Sequence, residues 1–217
     1  MNQESSFDST LVLSYLNLRK AIGIIGASLP FVLVIGKILL DGSGIEDSIS
    51  RYYYTHMRDV FVGSLCAIAV FLMSYKGYER KDAVAGDLAC VCALGVALFP
   101  TTPITSPTPQ DHLVGGLHHT FAVIFFLTLA YFSLALFRKT NPSKIPTRQK
   151  LQRNIVYTVC GYTILVCIAL LGLTSLLPKE SPVNNLEPVF WLESIAVFVF
   201  GISWLTKGEA ILKDEKT

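Results

Sequence analysis

The chain has 217 residues, of which 52% are hydrophobic and only 16% are charged, and its mean hydropathy is +0.51. A soluble domain of this size cannot bury so much apolar surface in one core, so the composition excludes an ordinary soluble domain and predicts an integral membrane protein. The formal net charge of +2 does not indicate a nucleic-acid partner.

Six apolar runs approach the length of about 20 residues that a helix needs to cross a bilayer. They cover residues 21–40, 59–76, 84–101, 113–137, 155–177 and 188–206. The first run follows Arg19 and Lys20 as in a signal peptide, but it lacks a small-residue cleavage site, so we expect a retained helix. The sequence therefore predicts one transmembrane domain over residues 1–217, an all-α bundle of six helices.

The segment between the first two runs, "SISRYYYTHMRDVFVG", is unusually rich in tyrosine and ionisable residues. Its apolar and aromatic positions recur at helical spacing, which predicts a short amphipathic helix along the membrane interface with tyrosines at headgroup level. Arg51 follows Asp47 by four residues and could pair with it. The positions that define this spacing are Ile45, Ile49, Tyr52, Tyr53 and His56.

The fourth run begins with "PQDHLVGGLHHT", after a stiff Pro- and Thr-rich loop over residues 101–112. His112 and His119 share a helix face with Gly115 and Gly116, and His118 lies on a neighbouring stripe. Glycines let another backbone or a ligand come close. The pattern is typical both of close helix packing and of a ligand pocket, and the sequence leaves these alternatives open.

The five cysteines all fall inside apolar runs, which argues against a disulfide framework or a zinc site. We interpret them as packing residues. They are Cys66, Cys90, Cys92, Cys160 and Cys167.

The orientation follows from the basic residues, which collect on one side of the six-helix topology. That side carries the N-terminal tail, the loops near residues 77–83 and 138–154, and the C-terminal tail, with most of the 18 Lys and Arg residues. The positive-inside rule makes it the cytoplasm, so both termini are predicted inside. All four histidines fall on the other side.

Several ionisable groups on that outer side could share one layer. Glu193 and the two adjacent histidines lie about five or six residues into their helices, roughly 8 Å deep at 1.5 Å per residue. Ionisable groups at that depth should face the bundle interior and find partners. We predict a polar pocket lined by Arg51, Tyr54, His56, Arg58, Asp59, His112, His118, His119 and Glu193.

The favoured function is binding or processing of a lipid headgroup or a small polar ligand, with the bilayer as the only other partner predicted. Arg51 and Arg58 would hold an anion, with Tyr54, His56 and His112 as further ligand contacts. Proton transfer would fall to His118 or His119 with Asp59 or Glu193 as the catalytic candidates.

Two other functions stay open. A zinc-dependent membrane hydrolase of a lipid ester or amide would use His112, His118 or His119 as metal ligands. Zinc is not favoured, because the adjacent His118 and His119 point about 100 degrees apart on a helix. A small-solute transporter would need a polar path to the cytoplasm, and the first, third and fifth runs carry few ionisable groups in their inner halves.

The chain resembles uncharacterised bacterial six-helix membrane proteins at three places. These are the "SIS" after the first run, the "RDVFVG" at the start of the second run, and the histidine-bearing fourth run before "FAVIFF". Those proteins are distantly similar to the DRAM/Sfk-type family. That resemblance covers most of the chain, implies a fold more than an activity, and implies a bacterial inner membrane as the location.

A looser likeness connects the chain to the CREST membrane hydrolases, which hold zinc with Ser, Asp and three His. The chain departs from that pattern. It has six predicted helices instead of seven, Tyr52 stands four residues before His56 where the family has Ser, and no HxxxH occurs. Zinc is not carried over from this resemblance.

Overall fold

The computed structural model describes residues 2–42, 44–75, 79–140, 145–178 and 181–213, with side chains from residue 15 onward. Over these residues the chain is helical and has no strand, which confirms the all-α prediction. The helices are α1 (Asn2–Asp41), α2 (Arg58–Met73), α3 (Arg80–Leu98), α4 (Pro109–Tyr131), α5 (Arg148–Thr174) and α6 (Pro188–Lys207). Short 3₁₀ helices cover Ser50–Tyr54 and Pro182–Leu186, and a π-helical turn, Phe132–Leu136, extends α4.

The six helices form a ring in chain order. Each helix packs against the next, and α6 closes the ring through an extensive contact with α1. That contact is close because small residues face each other: a Cβ on Gly23 would lie 2.7 Å from the Leu205 backbone nitrogen. A Cβ on Gly201 would overlap the backbone of Ala27. Small residues at a helix interface are typical of membrane bundles.

Four helices of the described chain are long and apolar enough to cross a membrane. The corresponding segments are Tyr15–Asp41, Pro109–Leu136, Arg148–Thr174 and Pro188–Lys207. The helix α2 is shorter, with 16 residues, and α3 begins with the charged residues Arg80, Lys81 and Asp82. The chain is therefore an integral membrane protein by the length and composition of its helices.

Local sequence signals set the helix starts. Thr108 accepts a hydrogen bond from the Asp111 amide, and Asp111 accepts one from the Thr108 amide, which is a capping box with Pro109 in the first turn. Thr147 caps α5 by accepting from the Lys150 amide at 3.1 Å. All five cysteines are free, and all except Cys66 are buried, as expected for packing residues.

Several helices begin earlier than the predicted apolar runs, and α5, for example, begins at Arg148 instead of residue 155. The first helix begins at Asn2, well before residue 21, because the apolar criterion detects only the part of a helix that can lie in lipid. The helix α3 ends at Leu98 and α4 begins at Pro109, so the connection between them is residues 99–108. Some charged residues used in the orientation argument lie outside the described residues. They are Lys76, Lys144, Lys179, Glu180 and Lys216.

The predicted amphipathic helix around residues 45–56 is also wrong, since only Ser50–Tyr54 is helical and its geometry is 3₁₀. Polar side chains take the backbone donors here: Glu193 accepts from the Ile49 amide at 2.8 Å and Ser48 accepts from the Arg51 amide at 3.2 Å. Such bonds compete with helical ones. Tyr52 is fully buried against Phe190 instead of lying at headgroup level.

The two ends of the ring differ in chemistry. The end with residues 44–57, 99–108 and 181–187, which we call the cleft end, carries the predicted site. The opposite end, which we call the basic end, carries the start of α5 and the end of α6 above a buried group of aromatic rings. Those rings belong to Tyr75, Phe132, Phe137, Tyr157 and Trp204.

Candidate functional site

A polar cavity of about 520 Å³ opens at the cleft end, and we call it the Arg51 cleft. It lies between the Ser50–Tyr54 helix, the α3–α4 connection, α4 and the start of α6. The side chains and backbone that line it come from segments far apart in sequence, which the helix ring brings together. The lining residues are Asp47, Ser48, Arg51, Thr101, Thr102, His119, Asn184, Glu187, Pro188 and Val189.

Arg51 is held on one side of this cleft by two groups. Its Nε donates to the Asp47 carboxylate at 3.2 Å, and its Nη1 donates to the Thr102 carbonyl at 2.8 Å. Among the described residues nothing accepts from Nη2. His119 lines the same cleft and is close enough to Arg51 for their charges to interact. A positioned guanidinium with a spare nitrogen is suited to an anionic oxygen.

Glu187 supplies a second charge of opposite sign. Its half-buried carboxylate has no partner among the described residues, and it immediately precedes the first turn of α6. Its backbone is left-handed, with φ of 48° and ψ of 52°, a region that few residues other than glycine adopt. Backbone outliers of this kind concentrate at functional sites. The Arg51 cleft therefore contains one guanidinium and the carboxylates of Asp47 and Glu187, a set of charges that complements a zwitterion.

A close approach of two backbones shapes the cleft wall. A Cβ on Gly115 of α4 would lie 2.8 Å from the Thr102 backbone nitrogen and would overlap the Thr102 hydroxyl. A Cβ on Gly116 would meet nothing within 4 Å. The first glycine of the pair thus packs against the α3–α4 connection, and the second faces open space. Gly115 lets Thr102 reach the position from which its carbonyl accepts from Arg51.

A second cavity, of about 530 Å³, lies beside the end of α1, and we call it the His56 recess. It is lined by Lys37, Asp41, Glu46, Tyr54, Thr55 and His56. Lys37 pairs with Glu46 at 2.7 Å, and the Nδ1 of His56 is bonded to the Asp41 carboxylate.

Tyr54 connects the two cavities. It lines the His56 recess, while its hydroxyl donates to the carbonyl of Thr101, which lines the Arg51 cleft. Burial raises the pKa of the Tyr54 phenol above its ordinary value, so the side chain stays protonated and keeps donating at neutral pH. The two cavities are separate, with one shared wall.

Glu193 does not line either cavity. Its carboxylate accepts the Ile49 amide and faces a narrow cavity of about 40 Å³ inside the bundle, among apolar side chains such as Phe61 and Leu65. It therefore fixes the start of the Ser50–Tyr54 helix and, through it, the position of Arg51.

The two adjacent histidines have different surroundings. His118 is 2% exposed, and its Nδ1 donates to the Phe99 carbonyl at 2.6 Å, since a carbonyl can only accept. It thereby anchors the end of α3 to α4. His119 is exposed and lies in the Arg51 cleft. Their rings are 5.6 Å apart at an angle of 87°.

Three predicted site residues lie elsewhere on the surface. Arg58 donates to the Tyr53 hydroxyl at 2.5 Å and lies over the Tyr53 ring, with its guanidinium carbon 4.2 Å from the ring centroid. Asp59 and His112 are exposed. None of the three lines the Arg51 cleft or the His56 recess.

No group of three His, Cys, Asp or Glu side chains in the described ranges is close enough to hold a metal ion. His112 and His118 lie apart from the cleft that contains His119, so the three predicted zinc ligands do not share a cavity.

An apolar groove of about 340 Å³ adjoins the Arg51 cleft between α1 and α6. Phe31 and Phe198 meet edge to face across it, with ring centroids 5.8 Å apart. The groove and the cleft use neighbouring residues of the same two segments, around residues 45–48 and 187–191. Its lining residues are Pro30, Phe31, Val34, Ile35, Ile45, Phe190, Trp191, Ser194, Ile195 and Phe198.

Sequence reasoning missed the threonines Thr101 and Thr102 and the carboxylate of Glu187. The threonines contribute through backbone carbonyls, which a sequence pattern cannot show. The signal for Glu187 was its position directly before Pro188 at a helix start, where Asp, Asn, Ser or Thr is the usual cap.

No protein-family model, no curated protein and no solved structure matches this chain. The resemblances to the DRAM/Sfk-type and CREST families therefore stay predictions.

Proposed function

We propose that all six helices cross a bacterial inner membrane, with both termini in the cytoplasm. Two observations support this topology. The helices α2 and α3 complete the ring between α1 and α4, and both of those neighbours are long and apolar enough to span. The basic residues collect at the end opposite the Arg51 cleft. In this orientation the Arg51 cleft opens toward the extracytoplasmic leaflet.

The function that this site supports best is binding of an aminophospholipid, a lipid whose headgroup carries a phosphate and an ammonium group. The observation that carries the proposal is that the charged Arg51 cleft and the apolar α1/α6 groove are lined by neighbouring residues of the same two segments. A small polar solute would use only the cleft. An amphiphile would place its headgroup in the cleft and an acyl chain in the groove, which faces the bilayer.

Each charged group then has a role. The free Nη2 of Arg51 donates to a phosphate oxygen, while Asp47 and the Thr102 carbonyl fix the guanidinium plane. The Glu187 carboxylate accepts from the ammonium group. His119 lies beside the phosphate position and supplies a further polar contact. Trp191 lies at the groove, where its amphipathic ring suits the membrane interface.

The arrangement favours binding over hydrolysis. Of the proposed proton-transfer residues, only His119 lines the cleft. His118 and Glu193 are occupied by the Phe99 carbonyl and the Ile49 amide, and Asp59 is on the outside. General acid and base groups must both lie within hydrogen-bond reach of the reacting atoms.

The test uses quenching of Trp191 fluorescence. The chain has two tryptophans, and the other, Trp204, lies at the basic end, so it is replaced by Phe in every variant and Trp191 alone reports. Purified protein is titrated with lysophosphatidylethanolamine whose acyl chain is brominated, and with the matching phosphatidylglycerol form. We expect saturable quenching with a preference for the ethanolamine headgroup. Arg51→Gln should weaken binding about tenfold, the loss of one charge-assisted hydrogen bond.

Two variants make the test specific. Glu187→Gln should bind the two lipids with equal affinity, because only the ammonium contact is lost. Arg58→Gln should behave as the wild type, since Arg58 carries the same charge on the same segment but lies outside the cleft. Equal losses in Arg51→Gln and Arg58→Gln would reduce the effect to surface charge and contradict the proposal, as would quenching that does not saturate.

A further inference from the structure

A group of cations lies at the basic end, far from the Arg51 cleft. It consists of Arg19 of α1, Lys150 and Arg153 of α5, and Lys207 of α6, and we call it the basic cluster. Lys207 lies within electrostatic range of the other three side chains, which all repel it. The helix ends that bring them together are held in close contact, since a Cβ on Gly208 would lie 3.0 Å from the Lys20 backbone nitrogen.

The basic cluster rests on the buried aromatic rings. The Nζ of Lys207 is 5.4 Å from the Phe137 ring centroid, and the Nζ of Lys150 is 5.7 Å from that of Tyr157. The guanidinium carbon of Arg19 is 5.8 Å from the Tyr75 ring centroid. Ring faces attract cations but carry no net charge. An apolar floor also strengthens the repulsion among the cations, because it lowers the local dielectric constant.

The acidic side chains described near the basic cluster pair with cations other than Arg19 and Lys207. Asp82 lies within electrostatic range of Lys207, but its carboxylate bonds Lys139 at 2.6 Å. Glu209 is 3.9 Å from Arg153, which is a loose ion pair. Glu79 also lies near Lys139, at 3.4 Å. Arg19 and Lys207 form no ion pair with a described residue.

A buried donor without a partner points to a missing acceptor. The Nε of Arg19 is inaccessible to solvent and bonds nothing in the described chain. The indole nitrogen of Trp204, in the aromatic group beneath the basic cluster, is also buried and has no hydrogen-bond partner in the described chain. A buried polar group that lacks a partner costs about 1–3 kcal/mol, so such groups are normally satisfied.

We propose that the basic cluster binds the phosphate of an anionic phospholipid from the cytoplasmic leaflet. The membrane level supports a lipid as the source of the phosphate. The candidate spans begin at Tyr15 and Arg148 and end at Lys207, so the cluster lies where the helices leave the apolar layer and phospholipid phosphates are found. The phosphate oxygens accept from Arg19 and Lys207 and reduce the repulsion among the four cations.

The test measures binding of dioctanoyl phosphatidylglycerol and dioctanoyl phosphatidylcholine to the purified full-length protein by calorimetry. It is done in the Arg51→Gln background, which weakens the proposed aminophospholipid site, so that a preference lost in the cluster variants is assigned to the basic cluster. We expect phosphatidylglycerol to bind at least about tenfold more tightly than phosphatidylcholine. Arg19→Gln should remove that preference. Lys207→Met, which keeps the alkyl stem, should do the same and covers the case in which Arg19→Gln does not fold.

Arg80→Gln is the matched control, because Arg80 is an exposed cation at the same end but outside the cluster. It should retain the preference. An equal loss in Arg80→Gln would mean that surface potential alone attracts the lipid, and would overturn the proposal. Retained preference in both cluster variants would also overturn it. Inorganic phosphate, titrated alone, should bind far more weakly than phosphatidylglycerol. Equal affinity of the two would assign the site to a soluble anion and overturn the lipid proposal.

Discussion

The substitutions Gly115→Ala and Gly116→Ala form a matched pair, because the residues are adjacent in α4 and only one touches another segment. Both changes gain helix propensity, about 0.8–1.0 kcal/mol. The added methyl at Gly115 would also lie 2.8 Å from the Thr102 nitrogen and 3.3 Å from the Thr102 Cβ. Carbon contacts are favourable near 3.5–4.0 Å, so the α3–α4 connection must move. Overpacking of this kind costs about 1–3 kcal/mol.

The difference between the two variants isolates that cost, since the propensity gain cancels. For a chain of this size, about 1–3 kcal/mol lowers the melting temperature by roughly 2–12 °C. We expect Gly115→Ala to melt that far below Gly116→Ala in detergent micelles, measured by circular dichroism. Gly115→Ala should also weaken lysophosphatidylethanolamine binding, because the Thr102 carbonyl that holds Arg51 moves. Equal melting temperatures would refute the packing of Thr102 against Gly115.

Three other changes test separate parts of the structure. Glu193→Ala should lower the free energy of unfolding by about 1–3 kcal/mol, because the Ile49 amide loses its acceptor. Glu193→Gln keeps an acceptor oxygen and should lose less stability. Equal losses of both variants in chemical denaturation would exclude that hydrogen bond. Glu187→Gly should abolish the preference for the ethanolamine lipid, because the carboxylate is lost. The free energy of unfolding should stay level or rise by up to about 1 kcal/mol, because glycine adopts the left-handed backbone without strain. A retained preference would show that Glu187 does not bind the ammonium group. In intact cells, an impermeant maleimide should label Ser106→Cys, whereas it should label Thr140→Cys only after permeabilisation. The reverse pattern would show that the proposed orientation is wrong.

The sequence was sufficient for the fold class and for most of the helices, since long apolar runs have few other physical solutions. It also indicated that a backbone or a ligand comes close at the glycine pair in α4, and the structure shows such a backbone approach at Gly115. The extent of α1 was missed because its first turns are not apolar. The Ser50–Tyr54 segment was missed because Glu193, far away in sequence, takes the amide that a regular helix would use.

The depth of a residue along its helix does not predict which of the predicted site residues line the same cavity. Residues at one level of a helix ring can face the interior, a cleft or the outside, and the rotation of each helix about its axis decides which. Arg58 and Arg51 illustrate this, since they are seven residues apart, yet Arg58 stacks on Tyr53 at the surface and Arg51 lines the cleft. The apolar groove was not predicted either, because it arises only where α6 closes the ring on α1.

The most direct test of the proposed function is a cryo-electron microscopy structure of the protein in nanodiscs that contain phosphatidylethanolamine. We expect lipid density with a phosphate within hydrogen-bond distance of Arg51, an ammonium group at Glu187 and an acyl chain between Phe31 and Phe198. A cleft filled only by solvent, or lipid bound with its headgroup away from Arg51, would contradict it.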